Sequence, residues 1–339
     1  MLTDRYSVRT INAVLKPGSP AERAYRARAA TSPELRERLG RRALARGFSP
    51  TQDHDLLYFG GRIIVNMTVA TFYLGGSRAI PAAERALIDG ALASALSDPG
   101  LENVMAQYFG DGPSTTTFLP STVSAARARK VYTAKGVREL ARRYGAANRT
   151  DLADTLVLFL LPPGALLTDD GDPGDVQPSR GRPAAINPAL REAEEASSLD
   201  GLGGYHGSVH LKDGRTVYYA VCVYSDTASL GSANGIPVWP EGWKNVVATA
   251  YHEINEARTD PDVEDAIAAG DSEEALRFIG WMSNQGEECG DFPVFEADPL
   301  TLAFVEVPVA GAVGSVPIQL QYSNAVHGPE GPIAAPHAR

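Results

Sequence analysis

Tyr251-His252-Glu253-Ile254-Asn255-Glu256-Ala257-Arg258-Thr259-Asp260-Pro261 joins a helical apolar repeat to a cluster of chemistry-bearing side chains. With the residues just upstream, Val246, Val247, Ala250, Ile254 and Ala257 fall on one side of a helical wheel, and His252, Glu253 and Glu256 fall on the other. A helix that packs its apolar stripe on a sheet and turns its polar face into a cleft has this pattern. So does an exposed helix whose His and Glu are merely solvated. Asp260-Pro261 is the stop signal: it ends this helix and can cap the next, with Pro261 as its first residue.

Upstream, the glycine-bounded stretch 60–76 reads as a long strand, or two, and Pro81 to Ser97 carries helical periodicity up to Asp98-Pro99-Gly100. Leu101 to Tyr108 reads as a short helix, Thr115 to Val123 as polar β sequence, and Ala134 to Tyr144 as a basic helix. Thr155 to Leu161 is an apolar, β-forming run stopped by Pro162-Pro163-Gly164, hence a central strand. Residues 165–200, rich in Asp, Gly, Pro and Ser, are expected to be a mobile loop. Val209 to Val223 reads as a hairpin turning at Asp213-Gly214. Downstream come a second helix from Asp262, a turn around Gly286, and strands at 302–307 and 316–322. Interleaved strands and helices with late hairpins give an α/β domain on a mixed β-sheet with packed helices. The division expected is a basic N-terminal arm, 1–50, and a single α/β domain, 51–339.

The chain has 339 residues, 44% hydrophobic, enough to bury a full core. Net charge is −10, unevenly spread: residues 1–48 hold ten Arg and one Lys against four acids, +7, which leaves −17 on the rest. An acidic body without a basic face argues against a nucleic-acid partner. No run approaches transmembrane length, so no membrane partner is expected, and residues 1–30 lack the apolar core of a secretory signal. Two cysteines, Cys222 and Cys289, can form one bond in an exported protein or stay free thiols in a reducing compartment. The pattern leaves both a cytoplasmic and a non-classically exported protein open, and it does not fix the oligomeric state. Trp239, Trp243 and Trp281 read as core plugs rather than a sugar platform. No phosphate-binding glycine loop or nucleophile elbow stands out.

The i, i+4 spacing of His252 and Glu256 lets both grip one cation, while Glu253 leans over the same position. It is the spacing of the His-Glu-x-x-His helix of zinc peptidases, with Glu in place of the second His. Separated blocks then resemble the bacterial branch of the phosphate-induced (exordium-like) proteins. They are Gly60-Gly61 with the strand to Gly75, the helix ending Ala95-Leu96-Ser97-Asp98-Pro99, Gln107-Tyr108, and Leu158 to Gly164. Gly203-Gly204-Tyr205-His206, His252-Glu253-x-x-Glu256-Ala257-x-Thr259-Asp260-Pro261, Gly286 to Asp291, and Gln321-Tyr322-Ser323-Asn324 follow. The resemblance spans residues 60–325. Members of that family are usually secreted and often carry cysteines beside the Gly-Tyr-His block and near the C-terminus, which this chain lacks. Its Cys289 instead sits inside the acidic motif.

The resemblance implies a metallopeptidase-like helix and hence a zincin-like architecture. The third ligand is expected from the acidic turn 287–291, at Glu288 or Asp291, because the family pattern has Glu and Asp three apart there. Cys289 is a softer rival, and Asp260 a local one that helix capping explains equally well. With zinc and an open coordination position, Glu253 is the general base, and His206 or Tyr205 steadies the developing oxyanion. For His206 the plain alternative is a residue capping a turn before the hairpin; His210 reads as a packing or edge residue. Oxygen-rich coordination also admits calcium or manganese. The expected function is therefore a zinc-dependent hydrolase, a peptidase acting on peptide or protein. The alternative is a non-enzymatic cell-wall or extracellular binding protein with a structural calcium.

Overall fold

A computed structural model describes residues 43–110, 114–148, 152–168, 197–270, 274–309 and 314–333. Most of the basic arm and most of the 165–200 loop therefore lie outside the described residues. In chain order, β1 (Leu56–Tyr58) and β2 (Asn66–Tyr73) lead to helices α1 (Ala82–Ala95) and α2 (Pro99–Met105). Next, β3 (Thr115–Phe118), β4 (Thr122–Val123) and β5 (Val131–Thr133) precede α3 (Ala134–Ala147). Strands β6 (Thr155–Leu160) and β7 (Leu166–Thr168) come before the hairpin β8 (Gly204–His210) and β9 (Thr216–Cys222). The remainder carries α4 (Gly242–Thr259), α5 (Val263–Ala269), β10 (Trp281–Ser283) and α6 (Asp291–Glu296). It closes with β11 (Phe304–Pro308), β12 (Ser315–Gln319), β13 (Gln321–Ser323) and β14 (Gly328–Glu330).

The central sheet runs β3-β2-β6-β9-β8, with β4 also on β2; its strands are parallel except β8, which is antiparallel to β9. The protein is thus α/β with a mixed sheet, as its sequence indicates. Strand side chains alternate between faces, and the core divides accordingly. Leu156, Leu158 and Leu160 of β6, with Tyr218, Ala220 and Cys222 of β9, pack with α1 and with Val246, Val247, Ala250 and Ile254 of α4. Val157, Phe159 and Leu161, with Val217, Tyr219 and Val221, pack with Val137 and Ala141 of α3 on the other face. β6 is apolar from Leu156 on because both its faces are covered. Each large aliphatic side chain buried there contributes about 1.5–3 kcal/mol.

Four expectations need correction. Only Asn66–Tyr73 of the 60–76 run is strand. Phe59, Gly61 and Ile64 donate instead to Gly280 O, Ile279 O and Arg258 O, each at 2.8 Å, so this segment is tied to the approach to β10 and to the end of α4. Leu166–Thr168 is not loop: it pairs in parallel with β5 and buries Leu167, because the Asp/Gly-rich composition begins only after it. Gly204-Tyr205-His206 belongs to β8 and is not a turn. The polar face of α4 is not a solvated one: every residue from Asn245 to Asp260 is buried except His252, which is partly buried. β8 covers one side of that face, and β12 with the 287–291 turn lies over the rest. Both cysteines are buried and free.

Candidate metal centre

α4 ends where Pro261 forces the residue before it out of helical geometry; Asp260 has φ −148° and ψ 68°. Pro261 does not open the next helix, which begins at Val263 after Asp262. Asp260 caps nothing there. Its Oδ1 accepts from Gly280 N at 3.0 Å, and no donor reaches its buried Oδ2.

Strand register decides where His206 points. It stands opposite Ala220, and Gly204 opposite Cys222. Directly paired residues share a face, and Ala220 and Cys222 face α4, so His206 and Gly204 face it too. A Cβ at Gly204 would sit 2.9 Å from Glu253 Oε1 and 2.6 Å from Val221 O, so glycine is what admits the Glu253 carboxylate. His206 Nδ1 then lies 3.4 Å from Glu253 Oε2 and 3.8 Å from Glu256 Oε2, and its Nε2 lies 3.4 Å from Glu288 Oε1 and 3.1 Å from Asp260 O.

His252 is set from the other side. Its Nδ1–H donates to Gln319 Oε1 at 2.8 Å, which leaves Nε2 toward Glu256 Oε2 at 3.0 Å. Gln319 is itself fixed, donating to Gly290 O at 3.0 Å. Glu256 Oε1 accepts from Gly290 N at 3.0 Å, and Asp291 Oδ2 accepts from Glu288 N at 2.9 Å. A Cβ at Gly290 would collide with Nδ1 of the His252 ring and lie 2.9 Å from Glu256 Oε1, so this turn also needs its glycine.

Two groups with ligand atoms within 4.8 Å of one another result, among the described residues: His252–Glu256–Asp291 and His206–Glu256–Glu288. They share Glu256. All four expected ligands, His252, Glu256, Glu288 and Asp291, are therefore brought together. His206 joins them as a potential ligand in its own right. Glu253, 4% exposed, faces His206. Glu287 is taken up by His54 at 2.6 Å and Ser283 at 3.0 Å. Cys289 Sγ turns to Gln321 and Thr259 and belongs to neither group. Tyr205, whose ring stacks edge-on against Tyr219, faces away from α4. His210 is exposed and binds Asp265 at 2.8 Å, and Trp281 packs between Tyr58 and Tyr108.

The electrostatics are those of a crowded set of acids. Burial opposes a charged ring at His206, but Glu288 and Glu253 outweigh it and hold its pKa well above the usual histidine value. Burial likewise works against charge on His252, yet Glu256 carries it up to about 10. Glu253 and Glu288 are raised by burial, Glu288 far above the carboxylate range. Burial pushes Asp260 and Asp291 up to about 7. Glu256 alone is lowered: burial would raise it, but His252 prevails. A dication here would displace protons from groups already competing for them.

Gln319 and Gly290 could not be picked out from the chain. Gln319 lies in the strand expected at 316–322, but only the packing of β12 on α4 shows that it touches His252. What fold and site define is an α/β domain whose mixed sheet carries a buried histidine–carboxylate centre. In comparisons with known proteins, no family model, no curated protein and no solved structure matches the chain.

Proposed function

We propose that this protein is a metal-dependent hydrolase, a peptidase of zincin-like architecture related to the bacterial phosphate-induced (exordium-like) proteins. The observation that carries the proposal is the His252–Glu256 pair, 3.0 Å apart one helical turn from each other, with Asp291 within ligating reach and Gln319 fixing the imidazole from behind. A ligand-binding histidine held by a polar partner on its other nitrogen is the usual construction of a metal site. One imidazole with two carboxylates suits zinc or manganese better than calcium, which takes six to eight oxygens. His252 and Asp291 are only partly buried, which leaves this side of the centre within reach of solvent.

When bound, zinc polarises a carbonyl and lowers the pKa of water. Glu253, next to His252 in the chain, is the proton acceptor, and His206 at 3.4 Å orients its carboxylate. Peptide or protein is the proposed substrate. Glu253→Gln tests the reading: hydrolysis of a casein or peptide-library substrate should be lost while bound zinc is retained. Full activity in Glu253→Gln would sink the mechanism.

A second reading is a non-enzymatic binding protein with a structural cation. It is favoured by depth: His206, Glu253 and Glu256 are 7%, 4% and 3% exposed. Neither the surface cavity at Ala45, Leu302 and Pro332 nor that at Arg62, Leu152 and Tyr218 reaches them. Retained metal with no hydrolysis by the unaltered protein selects this reading. As for the membrane, no helix among the described residues is long and apolar enough to cross one.

A further inference from the structure

We infer that the centre holds two divalent cations, not one, with Glu256 as the carboxylate shared between them. This rests on the reading that His252, Glu256 and Asp291 hold a cation, and it adds a second seat formed by His206, Glu256 and Glu288.

The geometry separates the seats. His206 and His252 each group with Glu256, but not with each other. One ion therefore cannot take both imidazoles in this arrangement, and each histidine brings its own carboxylate: Glu288 to His206, Asp291 to His252. Both imidazoles approach the same oxygen of Glu256, at 3.8 Å and 3.0 Å. A carboxylate placed between two such groups is suited to bridging ions about 3.5–4 Å apart, the spacing of two-metal hydrolytic sites.

Both nitrogens of each histidine have polar neighbours. Gln319 holds Nδ1 of His252, and Glu253 faces Nδ1 of His206, which leaves Nε2 of His206 toward Glu288. The two rings meet Glu256 differently: His252 through Nε2, and His206 through Nδ1, the nitrogen that also faces Glu253, while its Nε2 lies near Glu288 and Asp260 O.

The simpler account, buried ion pairs, matches two imidazoles to more acids than they can pair, and burial leaves the surplus acids holding protons. Four carboxylates (Glu253, Glu256, Glu288 and Asp291) converge on two imidazoles, and Arg258, a nearby buried cation, is committed to Glu102 at 3.1 Å. Glu288 Oε1, inside the second group, has only the long ion pair with His206 Nε2 at 3.4 Å, and Oδ2 of fully buried Asp260 has no hydrogen-bond donor. Buried carboxylates of this kind persist when paired or coordinating a metal. Two dications would take the place of those protons.

The test is metal stoichiometry on the full chain, stripped with chelator, reloaded with zinc by equilibrium dialysis and assayed by elemental analysis. Circular dichroism checks that each variant is folded. The unaltered protein should hold two equivalents. His206→Ala and Glu288→Gln should each hold one, as should His252→Ala and Asp291→Asn. Glu288→Gln keeps the side-chain volume, so it decides the matter if His206→Ala does not fold. Loaded with manganese(II) instead, the unaltered protein should give an exchange-coupled electron paramagnetic resonance spectrum, replaced by an isolated-ion spectrum in Glu288→Gln. One equivalent in the unaltered protein, lost in His252→Ala and kept in Glu288→Gln, overturns the second seat and leaves the single-ion reading standing. One equivalent lost only in Glu288→Gln overturns it as well. Two equivalents without coupling overturn the shared carboxylate. No bound metal in the unaltered protein brings down both this inference and the reading beneath it.

Discussion

Replacing Gln319 with Leu removes the group behind His252 while nearly keeping its volume, so the loss is polar rather than steric. Gln319 is fully buried and accepts from His252 Nδ1 at 2.8 Å. It also donates to Gly290 O at 3.0 Å and accepts from Gln321 Nε2 at 3.0 Å. Leucine leaves all three without that partner, and a buried polar group so stranded costs about 1–3 kcal/mol. For metal binding the relevant loss is the His252 contact alone, since it fixes which nitrogen faces Glu256. Loss of such an outer partner lowers metal affinity about 10–100-fold, equivalent to about 1.4–2.8 kcal/mol. Zinc competition against a chromophoric chelator reads this directly, with a urea melt alongside to confirm a cooperative fold. The same change in a His252→Ala background should have little further effect on affinity, because Gln319 acts through that ring. Unchanged affinity in a folded Gln319→Leu protein, or an equally large loss on top of His252→Ala, would refute this account of how the site is built.

Other consequences can be checked as directly. Arg258 is fully buried, with Glu102 Oε1 and Val65 O each at 3.1 Å and the Phe109 ring at 4.6 Å, so Arg258→Ala should cost about 3–5 kcal/mol in urea unfolding. Gly204→Ala puts a methyl group against Val221 O and the Glu253 carboxylate; about 1–3 kcal/mol of overpacking is expected, where an uncrowded site would show no change in midpoint. Burial holds Glu264 above the usual carboxylate range, against its hydrogen bond from Tyr219 at 2.8 Å. A raised folded-state pKa means its contribution is fully present below about 4.3, the unfolded value, and is lost as pH rises through the folded one. Glu264→Gln should therefore gain stability relative to the unaltered protein between pH 4 and 7, and urea midpoints that track each other across that window would contradict it.

Much of the scaffold could be read from local pattern. Leu156–Leu160 announces a strand covered on both faces, because it is an unbroken apolar run, and Pro162-Pro163-Gly164 marks its end. The hairpin at Asp213-Gly214 and the helices at 82–95 and 134–147 follow equally local signals of turn chemistry and periodicity. His252 and Glu256 could be paired from spacing alone, since one helical turn sets both distance and face. Glu288 and Asp291 came from an order of motifs, not from geometry.

Tertiary structure decided the rest, for physical reasons visible at particular residues. The helical wheel of α4 gives two faces but not what covers them, and the polar one is buried beneath β8 and β12. His206 faces that helix because of its register against Ala220, an antiparallel pairing that no local signal at Gly203-Gly204-Tyr205-His206 encodes. Gln319 reaches His252 across 67 positions of chain. Sequence determines which segments become strands and helices, because those choices are made within a few residues. Which carboxylates share a dry space is settled only when distant segments pack, and the chemistry of this centre depends on that packing.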